Sequence, residues 1–231
     1  MKLTVIGSPS NPATEPKDLL VEVLRLRDRW QFSELAMLCD PSSVAEFFRK
    51  QCELLRPYTL DELRAKFPDV PEDKAPTLFS RLLGSLPSER EIAEAVAGIT
   101  TYDALLALSA SDFLARWLEA NDPRYEIIRQ LQARGEPIPE RLLRFPGSDS
   151  YEIRAIRADD EHCVTMEYAI VALRQGERYD LSVQSERARR QANGEWRMLV
   201  APRFLRARES IMTEVPPELR HLLPSPSDRS R

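Results

Sequence analysis

The chain has 231 residues, of which 42% are hydrophobic and 30% charged, a balance typical of a globular protein large enough to bury a core. Its formal net charge of −4 argues against a dedicated nucleic-acid binder. Only 7 glycines against 18 prolines argue against a glycine-rich phosphate loop. No run approaches the roughly 20 apolar residues that a membrane span needs. We therefore expect neither a membrane nor a nucleic-acid partner.

The cysteines and the first residues bear on cofactors and compartment. Cys39, Cys52 and Cys163 lack the short spacings of a disulfide framework or a zinc site, so we expect no metal and no cofactor. The opening stretch MKLTVIGSPSNPA has too short an apolar run for a secretory signal. The sequence thus predicts a cytoplasmic protein.

Residues 17–55 carry helical spacing, behind a segment at 1–16 that we expect to be flexible. Apolar positions recur at intervals of three and four from residue 20 to residue 38, with a break expected near 31–33. Asp40-Pro41 favours a new helix, because Pro is tolerated in a first turn and Asp accepts hydrogen bonds from free N–H groups. The buried stripe of the helix over 43–55 is expected to comprise Val44, Phe47, Phe48, Cys52 and Leu55.

Residues 57–145 are predicted to be wholly helical, in short pieces. Thr59 and Glu62 have the spacing of a capping box. Residues 100–122 are predicted to form two helices, with Ser111 as the cap of the second. We interpret this stretch as a helical insert in a single domain that spans residues 17–201.

Near residue 150 the apolar period changes from 3.6 to 2, which predicts a meander of four antiparallel strands. Asn193-Gly194 is a strong hairpin signal, because both positions tolerate positive φ. The alternation separates a buried face from a solvent face. The predicted buried set is Val164, Met166, Tyr168, Ile170, Tyr179, Leu181, Val183, Trp196, Met198 and Val200. The predicted solvent set is Thr165, Glu167, Asp180, Ser182, Gln184, Glu186, Glu195 and Arg197. The Pro- and Arg-rich tail at 202–231 is predicted to be disordered.

Two stretches, LLVEVLRLRDRWQFSELAMLCDP (19–41) and VTMEYAIVALRQGERYDLSVQSERARRQANGEWRMLV (164–200), resemble parts of a known fold. It is the cone-shaped fold shared by nuclear transport factor two, ketosteroid isomerase and SnoaL-type proteins. The first stretch looks like its opening helix pair and the second like its last long strands. The resemblance implies an α+β fold, with N-terminal helices packed on a curved, cone-like antiparallel meander around a pocket. The residues expected to line the pocket are Trp30, Met166, Tyr168, Leu181, Trp196 and Met198.

Some relatives of that fold are enzymes with acid and base groups inside the cone, and three residues here are candidates. Tyr168 on the inner face supplies a phenol, and Asp28 on the first helix supplies a carboxylate. His162 is a candidate proton carrier. The plainer interpretation is a core tyrosine, an aspartate paired with a neighbouring arginine and a solvated turn histidine. No known catalytic motif accompanies them.

Residues 187–208 hold seven arginines against the single acidic residue Glu195. These arginines either neutralise neighbouring carboxylates or form a surface for an anionic partner. The candidates for such a surface are Arg187, Arg189, Arg203, Arg206 and Arg208. The scarcity of interleaved aromatic residues favours the first interpretation.

Together these observations favour a non-catalytic module that binds a small apolar ligand in a pocket, or forms a homodimer through its sheet. One alternative is a small isomerase- or dehydratase-type enzyme that uses Tyr168 with Asp28 or His162. A second is an adaptor for an acidic partner through the arginines of 187–208.

Overall fold

The computed structural model describes residues 15–57, 59–71, 78, 89–122, 124–143, 150–201 and 204–205. Eight α-helices lie within these ranges, all before the strands. They are α1 (Pro16–Asp28), α2 (Phe32–Met37), α3 (Pro41–Leu54), α4 (Leu60–Lys66), α5 (Glu89–Ala95), α6 (Tyr102–Leu106), α7 (Ala110–Asn121) and α8 (Tyr125–Ala133). A short 3₁₀ helix, Glu140–Leu143, follows them. The expected flexible segment up to residue 14, and the tail apart from residues 204 and 205, lie outside the described residues.

Four strands form one antiparallel sheet in the order β1-β2-β3-β4, as the alternation predicted. They are β1 (Ser150–Ala158), β2 (Cys163–Arg174), β3 (Glu177–Arg190) and β4 (Trp196–Leu199). The turn before β4 contains Gly194 at φ 86°, in the left-handed region that glycine adopts readily. The α+β class and the antiparallel meander are therefore confirmed.

One main core joins the helices to the sheet. α1 packs against β1, β2 and β4, while α2 and α3 pack against α7. A smaller apolar cluster under α8 comprises Ile127, Ile128, Leu131 and Leu142. Trp30, which follows α1, packs against both clusters and so connects the helical stretch to the sheet layer.

Two of the three predicted helix caps form at the expected residues. Asp40 caps α3 by accepting a hydrogen bond from the Ser43 N–H at 2.8 Å, and both halves of the Thr59–Glu62 capping box form. The predicted cap at Ser111 is wrong. Ser109 caps α7 instead, because it has the extended backbone of a cap (φ −67°, ψ 155°) directly before the first helical residue.

The predicted faces of β3 are also wrong from Ser182 to Glu186. Met166 and Tyr168 of β2 lie opposite Glu186 and Gln184 of β3, and residues that face each other across a ladder share a face. The large apolar residues of β2 fix which face is buried, and β3 follows their register. Glu186 is therefore buried, while Val183 of the predicted buried set is 57% exposed. Tyr179 lies beyond a register shift and pairs with the buried Ala172, yet it is 47% exposed.

The last described residues fold back onto the domain. Phe204 and Leu205 lie in the stretch assigned to the tail, yet both are buried in the main core. Leu205 adopts φ 50°, which is unusual for a residue with a branched side chain. Of the helices described, the longest has 14 residues, and none combines the length and apolar character needed to cross a bilayer.

Candidate functional site

The end of α1 holds a buried polar cluster that contains two of the predicted catalytic candidates. The Tyr151 hydroxyl accepts a hydrogen bond from Arg27 Nη2 at 3.0 Å and donates one to Asp28 Oδ1 at 2.5 Å. The ring of Tyr168 lies 6.2 Å from the ring of Tyr151, in an edge-to-face arrangement. α1 and the first two strands thus bring Asp28 and Tyr168 to the same buried cluster, with Arg27 and Tyr151 between them.

The protonation of this cluster follows from burial and from the Arg27 charge. Burial raises the pKa of Tyr151 and of Tyr168 above the ordinary tyrosine value, and Arg27 opposes part of that rise. Burial lowers the pKa of Arg27, but the neighbouring tyrosines and Asp28 more than offset it and raise the value overall. Both phenols are therefore neutral and Arg27 is charged at neutral pH. Within the described residues the Tyr168 hydroxyl makes no hydrogen bond of ordinary geometry, although it lies close enough to Arg27 for that side chain to lower its pKa.

Glu186 of β3 is a buried acid on the same sheet face as Met166 and Tyr168. Its Oε1 accepts a hydrogen bond from the Leu205 N–H at 3.0 Å. Burial raises the pKa of Glu186 to about 7, although this hydrogen bond and the Arg27 charge both favour the ionised form.

The alternation of apolar and polar residues in the sequence had predicted that Glu186 lies on the solvent face. The sequence had pointed to Asp28 and Tyr168 but not to Arg27, Tyr151 or Glu186. For these three the only signal was at Arg27, which occupies a position on the apolar stripe of α1.

A second buried arginine holds α1 in place from the helical side. Arg124 binds both carboxylate oxygens of Asp122, each at 2.8 Å. It also donates to the backbone oxygens of Arg27 and Asp28 at 2.7 and 2.9 Å. These contacts use the last carbonyls of α1, which have no partner within the helix. They fix the position of the Arg27–Tyr151 pair.

The space beside the polar cluster is very small. A cavity of about 10 Å³ lies between Arg27, Trp117 and Phe204, which is room for about one water molecule. Met166, Tyr168 and Met198, three of the residues expected to line a pocket, are fully buried in the core. The other three, Trp30, Leu181 and Trp196, are partly buried and pack against that core. None of these six residues lines the small cavity.

The third catalytic candidate lies elsewhere. His162 is exposed in the turn before β2, where its backbone N–H donates to Asp160 Oδ1 at 2.7 Å. The structure places it in a surface turn and does not bring it into the buried cluster.

A larger space opens on the surface where the helices meet the β3–β4 turn. This groove has a volume of about 540 Å³. One wall comes from α2, the start of α3 and the residues between them, and the opposite wall from the β3–β4 turn. Its lining residues are Ala36, Met37, Cys39, Pro41, Val44, Ser111, Gln191, Ala192, Asn193, Glu195 and Arg197. We call it the hairpin groove.

The two walls of the hairpin groove are tied together by hydrogen bonds. The Met198 N–H donates to Leu38 O at 3.0 Å, and the Asp40 N–H donates to Met198 O at 2.7 Å. Gln191 Nε2 donates to Asp40 Oδ2 at 2.9 Å. Arg197 hydrogen-bonds both to the Met37 backbone oxygen and, at 2.9 Å, to Glu195 on its own wall. The groove is therefore a preformed feature of the fold.

Cys39 is the only thiol on the groove wall within the described residues, and it is poorly suited to chemistry. It is buried, and its Sγ lies 3.6 Å from the Leu35 backbone oxygen. Burial raises its pKa well above the ordinary thiol value. The thiolate needed for nucleophilic attack is therefore scarce at neutral pH.

Three of the four described arginines of the 187–208 stretch, Arg187, Arg189 and Arg197, have an acidic neighbour, while Arg190 donates to the Gly194 backbone oxygen. Arg187 pairs with Asp159 at 3.0 Å, and Arg189 lies 3.9 Å from Asp40. These contacts agree with the interpretation that the arginines neutralise nearby carboxylates. The remaining candidates for an anionic surface, Arg203, Arg206 and Arg208, lie outside the described residues.

Two further observations concern metal binding and similarity to known proteins. In the part of the chain that the structure describes, no three or more His, Cys, Asp or Glu side chains are placed to hold a metal ion. Comparisons with protein-family models, with curated proteins and with solved structures found no match to this chain. Function must therefore be argued from the geometry of the sites.

Proposed function

We propose that the chain is a non-catalytic binding module that takes a small ligand in the hairpin groove. The observation that carries this proposal is the contrast between the two described spaces. The hairpin groove, at about 540 Å³, falls within the roughly 300–1,000 Å³ of small-molecule sites, whereas the interior cavity is about 10 Å³. The preformed walls support the proposal, because a site that is already ordered loses little entropy on binding.

The lining indicates what kind of ligand fits. The helical wall offers apolar groups, including Met37, which is 63% exposed, and Pro41. The hairpin wall offers the amides of Gln191 and Asn193 and the Arg197–Glu195 pair. We infer a ligand with an apolar body along one side and hydrogen-bonding groups along the other. This is a more polar ligand than the one expected from the sequence.

The enzyme alternative has weaker support. Asp28 and Tyr168 lie in one buried cluster, but the space beside that cluster holds about one water molecule. A substrate would need the interior to open before it reached Tyr168, which is fully buried. The cone-like family assignment likewise remains a proposal, supported by the order of helices followed by a meander.

Homodimerisation through the sheet is a separate proposal. The solvent face keeps Thr165 and Glu167 from the predicted set, and Val183 adds an exposed apolar side chain to it. Sedimentation equilibrium at high micromolar concentration should show a dimer that the Val183→Lys variant lacks. A wild-type chain that stays monomeric would remove this proposal.

The ligand proposal can be tested with a pair of matched variants. Ser111 is an exposed helical serine that lines the groove, and Ser33 is an exposed helical serine that does not. Ser111→Trp should fill the groove, and Ser33→Trp should leave it open. Saturation-transfer NMR with small aromatic carboxamides should detect binding to the wild type and to Ser33→Trp, with at least a tenfold loss in Ser111→Trp. No binding at all, or equal binding by both variants, would contradict the proposal.

A further inference from the structure

A hydrogen bond joins the buried carboxyl of Glu186 to Leu205, a residue with a positive φ. Neither residue lines the hairpin groove. Phe204 and Leu205 are buried, and the Phe204 N–H donates to Ala201 O at 2.9 Å in a tight turn. Leu205 takes an unfavourable left-handed backbone conformation at φ 50°, and its N–H is held by the Glu186 carboxyl. A strained residue persists only where its contacts hold it. The hydrogen bond to Glu186 and burial in the core are the contacts that hold Leu205 in this conformation.

The surroundings of Glu186 decide how its charge is tolerated. The titratable groups that act on it come from three elements: Arg27 of α1, Tyr168 of β2 and Cys39 between α2 and α3. Arg27 is the one cation among them, and it is shared with Tyr151 and Asp28. Tyr168 and Cys39 are neutral and buried. An ionised Glu186 is therefore only partly compensated in the closed interior.

We propose that Glu186 is a protonation-dependent anchor: its neutral form keeps Phe204 and Leu205 folded against the interior, and its ionised form favours their release into water. Release would open the small cavity beside Arg27 and Trp117, which Phe204 and Leu205 help to line. The polar cluster would then become reachable from solvent. This inference does not depend on the hairpin groove.

The direction of the pH effect follows from linkage. With Phe204 and Leu205 in place, burial raises the pKa of Glu186 to about 7, whereas a hydrated carboxyl would regain the ordinary glutamate value of 4.5. The closed state therefore binds a proton more tightly than the open state, and the closed-to-open ratio falls as the pH rises between these values. From about pH 5 to about pH 8 the expected fall is on the order of 50- to 100-fold.

Hydrogen exchange of the Leu205 amide tests the anchor directly. Its protection factor, corrected for the intrinsic exchange rate, should fall on the order of 50- to 100-fold between about pH 5 and about pH 8 in the full-length protein. Glu186→Gln, which is neutral at every pH, should stay protected across that range. Glu167→Gln, on the other sheet face, should behave as the wild type.

Amides of β2, such as that of Tyr168, separate local release from unfolding. Their protection should change less than threefold while that of Leu205 falls. A pH-independent Leu205 protection factor in the wild type would overturn the proposal. So would a parallel loss in β2, or a fall in Glu186→Gln equal to that of the wild type. If Glu186→Gln does not fold, the comparison of Leu205 with β2 in the wild type still decides the question.

Discussion

Two buried arginines, Arg27 and Arg124, lie beside the C-terminal end of α1, and the charge of each is compensated in a different way. Arg124 has a carboxylate partner, Asp122, and also binds backbone oxygens. Arg27 donates a hydrogen bond to the hydroxyl of Tyr151, and that hydroxyl donates a hydrogen bond to Asp28. The first arrangement is a buried ion pair, and removing one partner leaves an uncompensated charge in the interior.

Arg124→Met should therefore lower the free energy of unfolding by about 3–5 kcal/mol, as for other broken buried pairs. The control is Arg129→Met, an exposed arginine of α8, which should change stability by less than about 0.5 kcal/mol. Urea denaturation measures both. Adding Asp122→Asn to Arg124→Met should recover part of the loss. A loss below about 1 kcal/mol for Arg124→Met would mean that the pair is not structurally important.

The two tyrosines of the polar cluster should respond differently to loss of the hydroxyl group. Tyr151→Phe leaves Arg27 and Asp28 without their shared partner, so it should cost about 1–3 kcal/mol. Tyr168→Phe removes a buried hydroxyl that makes no hydrogen bond of ordinary geometry within the described residues, so it should cost less than Tyr151→Phe and be close to neutral. Thermal and urea melts of the two variants compare them directly. Equal losses would contradict the hydrogen-bond pattern described here.

At the scale of elements, the sequence predicted most of the features that depend only on neighbouring residues, such as helix caps and turns. The Asp40 and Thr59 caps depend on a few consecutive residues and formed as expected. The Asn193-Gly194 turn formed where it was predicted, but with a positive φ at Gly194 and not at Asn193. The cap of α7 was misplaced by two residues, because Ser109 and Ser111 carry the same hydroxyl and only the backbone geometry separates them. The four strands were also correct, because their alternation is strong.

The faces of β3 required information that its own sequence lacks. Its alternation places Tyr179 and Val183 in one set and Glu186 in the other, which favours burial of the first set. The pairing with β2 decides otherwise, and a register shift between Ile170 and Val171 separates Val183 from Tyr179 along the ladder. The hairpin groove could not be predicted from the sequence either. Its lining comes from residues 36–44, 111 and 191–197, which only the tertiary fold brings together.

The face assignment of β3 can be tested by adding charge at two positions. Val183→Lys places an ammonium group on an exposed site, so we expect a stability change within about 0.5 kcal/mol. Ala188→Lys places it at a fully buried site, so we expect a loss above about 3 kcal/mol or failure to fold. Urea melts of the two variants provide the comparison. A large loss for Val183→Lys with none for Ala188→Lys would restore the alternation-based assignment.

At the scale of the whole molecule, the fold separates a closed polar interior from an open surface groove. The interior holds the groups that resemble catalytic machinery, but they are bound to one another and covered by Phe204. The hairpin groove has the size of a ligand site and few groups suited to chemistry. This division is the reason that binding, and not catalysis, is the proposed function.

A crystal structure of the wild-type protein soaked with the tightest-binding aromatic carboxamide tests that division most directly. We predict electron density for the ligand between Met37 and Asn193, with its apolar part on the helical wall and its amide near Gln191 or Asn193. Density beside Tyr168 and Arg27 with Phe204 displaced, and an empty hairpin groove, would contradict the account and make the interior the functional site.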